Sequence, residues 1–465
     1  MPRTLKWAAA AVALVAWATP AAAQTNAELM QELQKLRNRV DELEKKDTTA
    51  NKESLLAALK EYEGDAGMKV FWKEGLRLES HDGWFKLKIG GRVQFDMGYT
   101  SDDDDANLEN QEDWAEFRRL RMYMQGVIYE NVGYKVQIDF ADADVSLKDA
   151  YMTIHSDGFK NVENFLDVFI AGHFKEPFGL EELTSSKYIT FIERSNPIGL
   201  LAPSRNLGIA VSKYWSDHQL GYAVGVFREA NNNDGESVSD GGYHLTGRVT
   251  WAPLYQDKGQ KLIHLGAAYS LRHYGSDEGS PRYRTRGEQH IGNRFLDTTA
   301  LAADDVDLFG AEAAMVWGPF SLQGEFLGAS VESTAPGVDD ICLTGAYVQA
   351  SYFLTGEYRP YKNGTFSRVK PKKNFSPDGG TGAVELAARY SYLDMTDGNF
   401  NTIAGGRAGQ VDAMTIGVNW YLNPNTRIMV NYVRSCWDVD ANTADGTSSW
   451  DESVDTVMLR FQVDF

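Results

Sequence analysis

Arginine presents a planar fork of N–H donors that can grip two oxygens of a phosphate or carboxylate at once. Arg118, Arg119 and Arg121 fall within one short segment, and Arg282, Arg284 and Arg286 occupy every second position of another. Arg119 and Arg121 share parity with Tyr123 and Gln125, while Leu120, Met122 and Met124 take the alternate positions. An extended chain throws alternate side chains to opposite faces. The spacing therefore predicts a basic face at 119 and 121, with Arg118 at its rim or bent toward it, and a ladder of guanidinium groups at 282–286. Arg92, Arg248 and Arg272 hold the polar parity of their own segments, as do Lys86, Lys88, Lys135 and Arg389. Fixed positive charge around a narrow, low-dielectric space concentrates small anions and strips part of their hydration. Asp96, Asp139, Glu325 and Glu385 share the same parity, so for any single arginine the bracing of a carboxylate is an equal alternative.

Nothing comparable speaks for catalysis. Ser185 and Ser186 have no evident histidine and carboxylate partners, and His155, His173, His218, His244, His264, His273 and His290 are scattered without motif spacing; neither a nucleophile nor its base can be assigned. Cys342 and Cys436 form no ligand motif, although an oxidising compartment would allow them to pair. No enzymatic activity, cofactor, metal or nucleic-acid partner is expected.

The elements that would hold these arginines are strands. Val457, Leu459, Phe461, Val463 and Phe465 alternate with Thr456, Met458, Arg460, Gln462 and Asp464, a period-two run about as long as a tilted membrane strand. Phe85, Leu87, Ile89, Val93, Phe95 and Met97 repeat the pattern against Lys86, Lys88, Arg92, Gln94 and Asp96. Sixteen such segments can be marked, from 84–98, 115–130, 132–142 and 146–156 through to 383–393, 412–422, 425–436 and 454–465. Short turns such as Gly318-Pro319 and Asn423-Pro424 follow even-numbered segments, and long loops such as 99–114, 273–306, 394–411 and 437–453 mostly follow odd-numbered ones. The long Lys/Pro-rich stretch 357–382 is an exception that must sit on the turn side. No later stretch has 18 continuous apolar residues, which excludes helical spans. No blade-length repeat supports a water-soluble propeller. The expected fold is all-β: a 16-stranded antiparallel transmembrane barrel, apolar side chains toward lipid and polar ones toward the lumen.

Upstream, Arg3 and Lys6 precede an apolar run at 7–18 and the small residues Ala21-Ala22-Ala23, which reads as a signal peptide over 1–23. In 24–66, Leu29, Leu33, Leu36, Val40 and Leu43 recur at spacings of four and three; this is a short periplasmic coiled-coil-like helix or a solvated amphipathic linker, in equal measure. The barrel domain is set at 67–465. Much of the net charge of −19 sits in acidic runs such as Asp102 to Asp105, Asp304-Asp305 and Asp339-Asp340, which solvate outer loops or bridge lipopolysaccharide through divalent ions. The setting expected is the outer membrane of a Gram-negative bacterium.

Several segments carry a more specific signal. Gly90-Gly91-Arg92, Phe117-Arg118-Arg119, Leu147-Lys148-Asp149-Ala150-Tyr151, the run from Gly172 through Lys187 to Phe191-Ile192-Glu193-Arg194-Ser195, Leu354-Thr355-Gly356-Glu357 and Gly417-Val418-Asn419-Trp420-Tyr421 resemble the phosphate-selective porin O and P family over about residues 70–465. The resemblance implies a homotrimer of barrels, each with its own pore narrowed by an infolded third loop, about 175–205 here. That segment is unusually apolar for a solvated loop, with Pro177, Phe178, Leu180, Phe191, Ile192, Pro197 and Leu200. By the same resemblance, Arg118 and Arg119 contact the permeating anion, Arg194 stands at the constriction, Ser185 and Ser186 supply hydroxyls, with Lys187 following them, and 282–286 is an arginine ladder. This sequence departs from the family with Arg121 in place of a tyrosine, Glu182 in place of a lysine, and Lys148 in place of an aspartate. The strand ending on Phe465 resembles the signal read by the barrel assembly machinery. The function implied is passive diffusion of anions, phosphate or polyphosphate first; a general porin on the same scaffold is the alternative, and a cell-wall tether through 24–66 a more distant one.

Overall fold

A computed structural model of the chain describes residues 67–102, 113–141, 145–156, 166–230, 242–274, 280–398, 405–443 and 446–465, with isolated positions at 31, 34 and 35. The expected signal peptide and the heptad seam at 29–43 lie outside the described residues. Two compact units can be separated, Met1–Lys69 with Glu79–Asp82, and Val70–Leu78 with Gly83–Phe465; the second is the barrel.

Sixteen long strands build it: β1 Lys86–Asp102, β2 Asp113–Ile128, β3 Val132–Asp139, β4 Ser146–His155, β5 Val168–Lys175, β6 Arg205–Trp215, β7 Leu220–Arg228, β8 His244–Gln256, β9 Lys261–His273, β10 Ala303–Trp317, β11 Phe320–Ser333, β12 Ile341–Phe353, β13 Ala383–Met395, β14 Arg407–Asn423, β15 Thr426–Thr443 and β16 Gly446–Asp464. Each pairs antiparallel with its neighbours, and β16 closes on β1 from Val454 opposite Asp102 to Asp464 opposite Arg92. Closure leaves no sheet edge with unpaired amides, the condition for crossing hydrocarbon with strands. On β16, Val457, Phe461 and Val463 are exposed on the outside while Arg460, Gln462 and Asp464 are buried inside, as period-two alternation requires.

The alternation reverses meaning toward the outer end. In the expected loop 437–453, residues 437–443 and 446–453 instead continue the β15 and β16 ladder, with Trp437 opposite Glu452 and Val439 opposite Trp450. Here Trp437 and Val439 are buried and Asp438 is exposed. Apolar residues here turn inward to pack against the loop that carries Phe295 and Leu296, while Asp438 and Asp451 point outward and Glu452 is buried inside.

The apolar loop between β5 and β6 is folded inside the barrel. It carries two short helices, α1 Leu180–Leu183 and α2 Asn196–Leu201. Gly179 turns the chain into α1 at φ 73°, a region open to glycine. No side chain of the loop caps α1; the carboxylate of Glu325 on β11 accepts the N–H groups of Leu180 and Glu181 at 2.7 Å each, satisfying donors that a helix start leaves unpaired. Phe178, Leu180, Ile189, Phe191, Ile192, Ile198 and Leu201 are sealed from solvent. The inner wall makes room for them with glycine: a Cβ at Gly345 would lie 2.9 Å from Pro197, and one at Gly417 3.2 Å from Phe191.

The stretch 357–382 lies on the turn side as expected, but it also enters the lumen. Its Tyr361 and Phe366 pack with Leu180 against Ala252, Leu262, Ala314 and Val316. Arg359 and Arg368 are buried, Arg368 pairing with Asp464.

Candidate functional site: a cation-lined passage

The infolded loop leaves a cavity of about 810 Å³ against the inner wall of β1–β6. The paired arginines reach it through a β-bulge. The register between β1 and β2 steps from Gln94 opposite Arg119 to Phe95 opposite Phe117, leaving Arg118 unopposed. A bulge of one residue resets the parity of a strand, so Phe117 and Leu120 both face outward and the two residues between them both face the lumen. Of the two positions expected for Arg118, at the rim or bent inward, the bulge gives the second, in the cavity lining.

Arg118 holds Glu193 of the infolded loop bidentately, at 2.8 and 3.0 Å. Arg119 donates to Gln94 Oε1 at 3.0 Å and lies 3.8 Å from Glu193. Arg121 pairs with Asp139 at 2.6 Å. Asp149 is held by Lys135 at 2.5 Å and by Arg205 at 2.6 Å, and Lys148 beside it lines the same space. Ser185 and Ser186 lie in the lining, and Arg92 donates to Ser186 Oγ at 2.5 Å. Arg194 pairs with Glu182 at 2.9 Å and donates to the backbone carbonyls of Glu181, Glu182 and Thr184. Lys175 also pairs with Glu182, at 2.8 Å. Glu182 therefore carries no free charge into the passage: burial pushes its carboxyl up, but Arg194 and Lys175 outweigh burial and hold it at about 2.

The expected ladder is partly assembled. Arg284 and Arg286 line the cavity, joined by Arg294, whereas Arg282 turns away, its exposed guanidinium holding the buried Asp297 bidentately at 2.7 and 2.6 Å. Only Arg284 and Thr285 form a short strand there, so the three-step extended ladder is not realised. Arg294 lies at about 10, lowered by burial and then by the repulsion of Arg286 and Arg284. Lys187 sits away from the main cavity, 3.7 Å from Asp464 and beside the rings of Tyr123 and Tyr188. Arg248 and Arg272 do not face the cavity: Arg248 is buried on Glu312 at 2.5 Å and Arg272 on Glu176 at 3.1 Å. Their inward parity was real, but infolded segments occupy that part of the lumen.

Sequence parity missed Arg205, Lys175, Arg294 and Glu193. Arg205 and Lys175 end the two strands flanking the infolded loop, where a two-residue period has no length to register; Arg294 and Glu193 lie in loops with no period at all. Among the described residues, the cavity lining holds twelve Lys and Arg side chains against four carboxylates, Asp149, Glu182, Glu193 and Glu288, a formal excess of eight positive charges. Guanidinium and ammonium groups converging in this way can donate charge-assisted hydrogen bonds to the oxygens of an anion.

The model of the family described as phosphate-selective porin O and P matches residues 87–465. Porin O of Pseudomonas aeruginosa is 28% identical over 445 residues, covering 86% of this chain and 93% of that one. An uncharacterised protein of Caulobacter vibrioides is 30% identical over 409 residues, covering 86% of this chain and 78% of that one. Among solved structures, outer-membrane expressed OmpT of Vibrio cholerae superposes with a TM-score of 0.50 at 10% identity, covering 85% of this chain and all of that one.

Proposed function

The chain belongs to the phosphate-selective porin O and P family, and on that premise we propose that its passage selects anions, with phosphate or a polyphosphate as the preferred class. It is a β-barrel channel of the Gram-negative outer membrane and not an enzyme. The observation that supports anion selection is the excess of eight cations on a lining whose parent chain carries −19. Fixed charge in a narrow low-dielectric passage outweighs opposite charge on distant, screened loops. The bulged pair Arg118 and Arg119, with Arg121, Arg194, Lys148, Ser185 and Ser186, supplies convergent donors of the kind phosphate oxygens take up.

The proposal extends to three copies, each with its own passage, to export with loss of 1–23, to insertion through recognition of the Phe465 strand, and to acidic outer loops facing lipopolysaccharide. The rival reading, a general porin on the same scaffold, draws support from the Arg118–Glu193 pair, which neutralises one arginine of the site. Planar-bilayer recording decides between them. The anion reading expects an anion-selective reversal potential in a salt gradient and block of chloride current by inorganic phosphate. A cation-selective sign would end it, and an anion-selective channel that phosphate does not block would favour the general porin.

A further inference from the structure

Three arginines converge on one carboxylate of the infolded loop. Arg118 holds both oxygens of Glu193, Arg119 stands 3.8 Å away, and Arg460 reaches the same carboxylate from β16 at 3.0 Å. The two sides of this cluster differ. The Arg118 side chain is 18% exposed toward the cavity and that of Glu193 13%, while Arg460 is fully sealed. Arg460 has a permanent partner of its own, a bidentate pair with Asp96 at 2.7 and 2.6 Å, and it also holds the Ile192 carbonyl at 2.7 Å. Burial pushes the Glu193 carboxyl up, but Arg118, Arg119 and Arg460 hold it well below the usual carboxylate range, so it carries a full negative charge at any working pH.

From this geometry we propose that Glu193 is a tethered substitute for the permeating anion: in the empty passage its carboxylate occupies the donor fork of Arg118, and an arriving anion displaces it onto Arg460. The inference rests on the anion-selective reading above and assigns its specificity-determining residue. An arginine pair left bare in the passage would bind a dianion tightly and release it slowly, and a conducting site must also let go. A carboxylate on the loop competes at fixed effective concentration, weakening capture and returning to Arg118 as the anion leaves. Arg460 makes the exchange affordable, because the displaced carboxylate keeps one charge-assisted partner and is never left unpaired in a buried site.

The test uses the full-length channel in planar bilayers, with phosphate block of chloride current as the readout and folding checked by retention of the heat-modifiable form. Glu193→Gln keeps the shape and removes the charge. The half-blocking phosphate concentration should fall about tenfold, the equivalent of one charge-assisted hydrogen bond no longer in competition. An unchanged or higher value would overturn the inference. Should that variant fail to fold, Glu193→Asp keeps the charge near Arg460 but withdraws it from Arg118 by one methylene; its half-blocking concentration should also fall, by a smaller factor, and a rise would count against the proposal. A cation-selective wild type would instead sink the parent reading, so the two failures are distinguishable.

Discussion

The inner wall of β1–β6 and the inner wall of β7–β16 carry the same residue types in the same alternation, yet they do opposite things. On the first wall, Arg92, Arg118, Arg119 and Arg121 face an open cavity in which cations outnumber acids. On the second, Arg248, Arg272, Arg389 and Arg460 are buried under infolded segments and matched to Glu312, Glu176, Glu288 and Asp96. The difference lies in what covers each wall, not in the strands. Where an infolded segment excludes water, an unpaired charge is prohibitively costly, so these four arginines have acids, and the equally buried Arg427 is held by Gln462 and the Ile189 carbonyl. Where water remains, positive charge can stand in excess and become available to mobile ions.

The sharpest way to break this contrast is on the covered wall. Arg389 donates to Glu288 at 3.0 Å, to Glu181 at 3.3 Å and to the Glu193 carbonyl at 3.1 Å, and stacks on Phe191. Arg389→Ala would leave two buried carboxylates without their cation. We expect a loss of about 3–5 kcal/mol, seen as a lower temperature for conversion of the folded band in gel-shift assays, with a wider and less selective pore in whatever folds. On the open wall, Arg119→Ala removes a cation whose direct hydrogen bond goes to neutral Gln94, while Glu193 keeps Arg118 and Arg460. The stability loss should be about 1 kcal/mol, but phosphate block should weaken about tenfold; unaltered block would remove Arg119 from the site. A smaller effect is expected at Lys187. Burial lowers its ammonium to about 7, and repulsion by Arg92, Arg368 and Lys88 adds to burial against the attraction of Asp464. The charge is present below that pH and lost above it, so anion preference should decline as pH rises from 6 to 8, and Lys187→Gln should flatten the profile. Least of all for permeation, Arg282→Ala breaks a pair outside the cavity between an exposed guanidinium and the buried Asp297. Asp297 keeps the Thr299 N–H, so the change should cost about 1 kcal/mol and leave the reversal potential where it was.

Much of the barrel was legible because the alternation of lipid-facing and lumen-facing residues is a local property. All sixteen expected segments correspond to strands. The errors arise where that code changes meaning. In β14–β16 the apolar residues Trp437, Val439 and Val411 face inward onto an infolded loop, which breaks a pattern that puts apolar residues outside. The site was half legible: parity found most of its strand arginines and two carboxylate partners, Asp139 on Arg121 and Asp96 on Arg460, but not Glu193. Glu193 and Arg460 are 267 residues apart, and nothing in either neighbourhood announces the other. Arg248 and Arg272 passed the same parity test as Arg92, and only the path of 357–382 and of the apolar loop separates them.

The single unopposed residue in β2 has a consequence for how this strand tolerates change. Deleting Arg118 would close the bulge: Phe117 would stay opposite Phe95 and Arg119 opposite Gln94, so both would keep their faces and one lumen charge would be lost. A one-residue deletion in the regular part of the strand would instead turn one flank over, carrying apolar side chains into the passage and polar ones out of it. The bulge is therefore a place where β2 can shorten by one residue without exchanging its inner and outer faces.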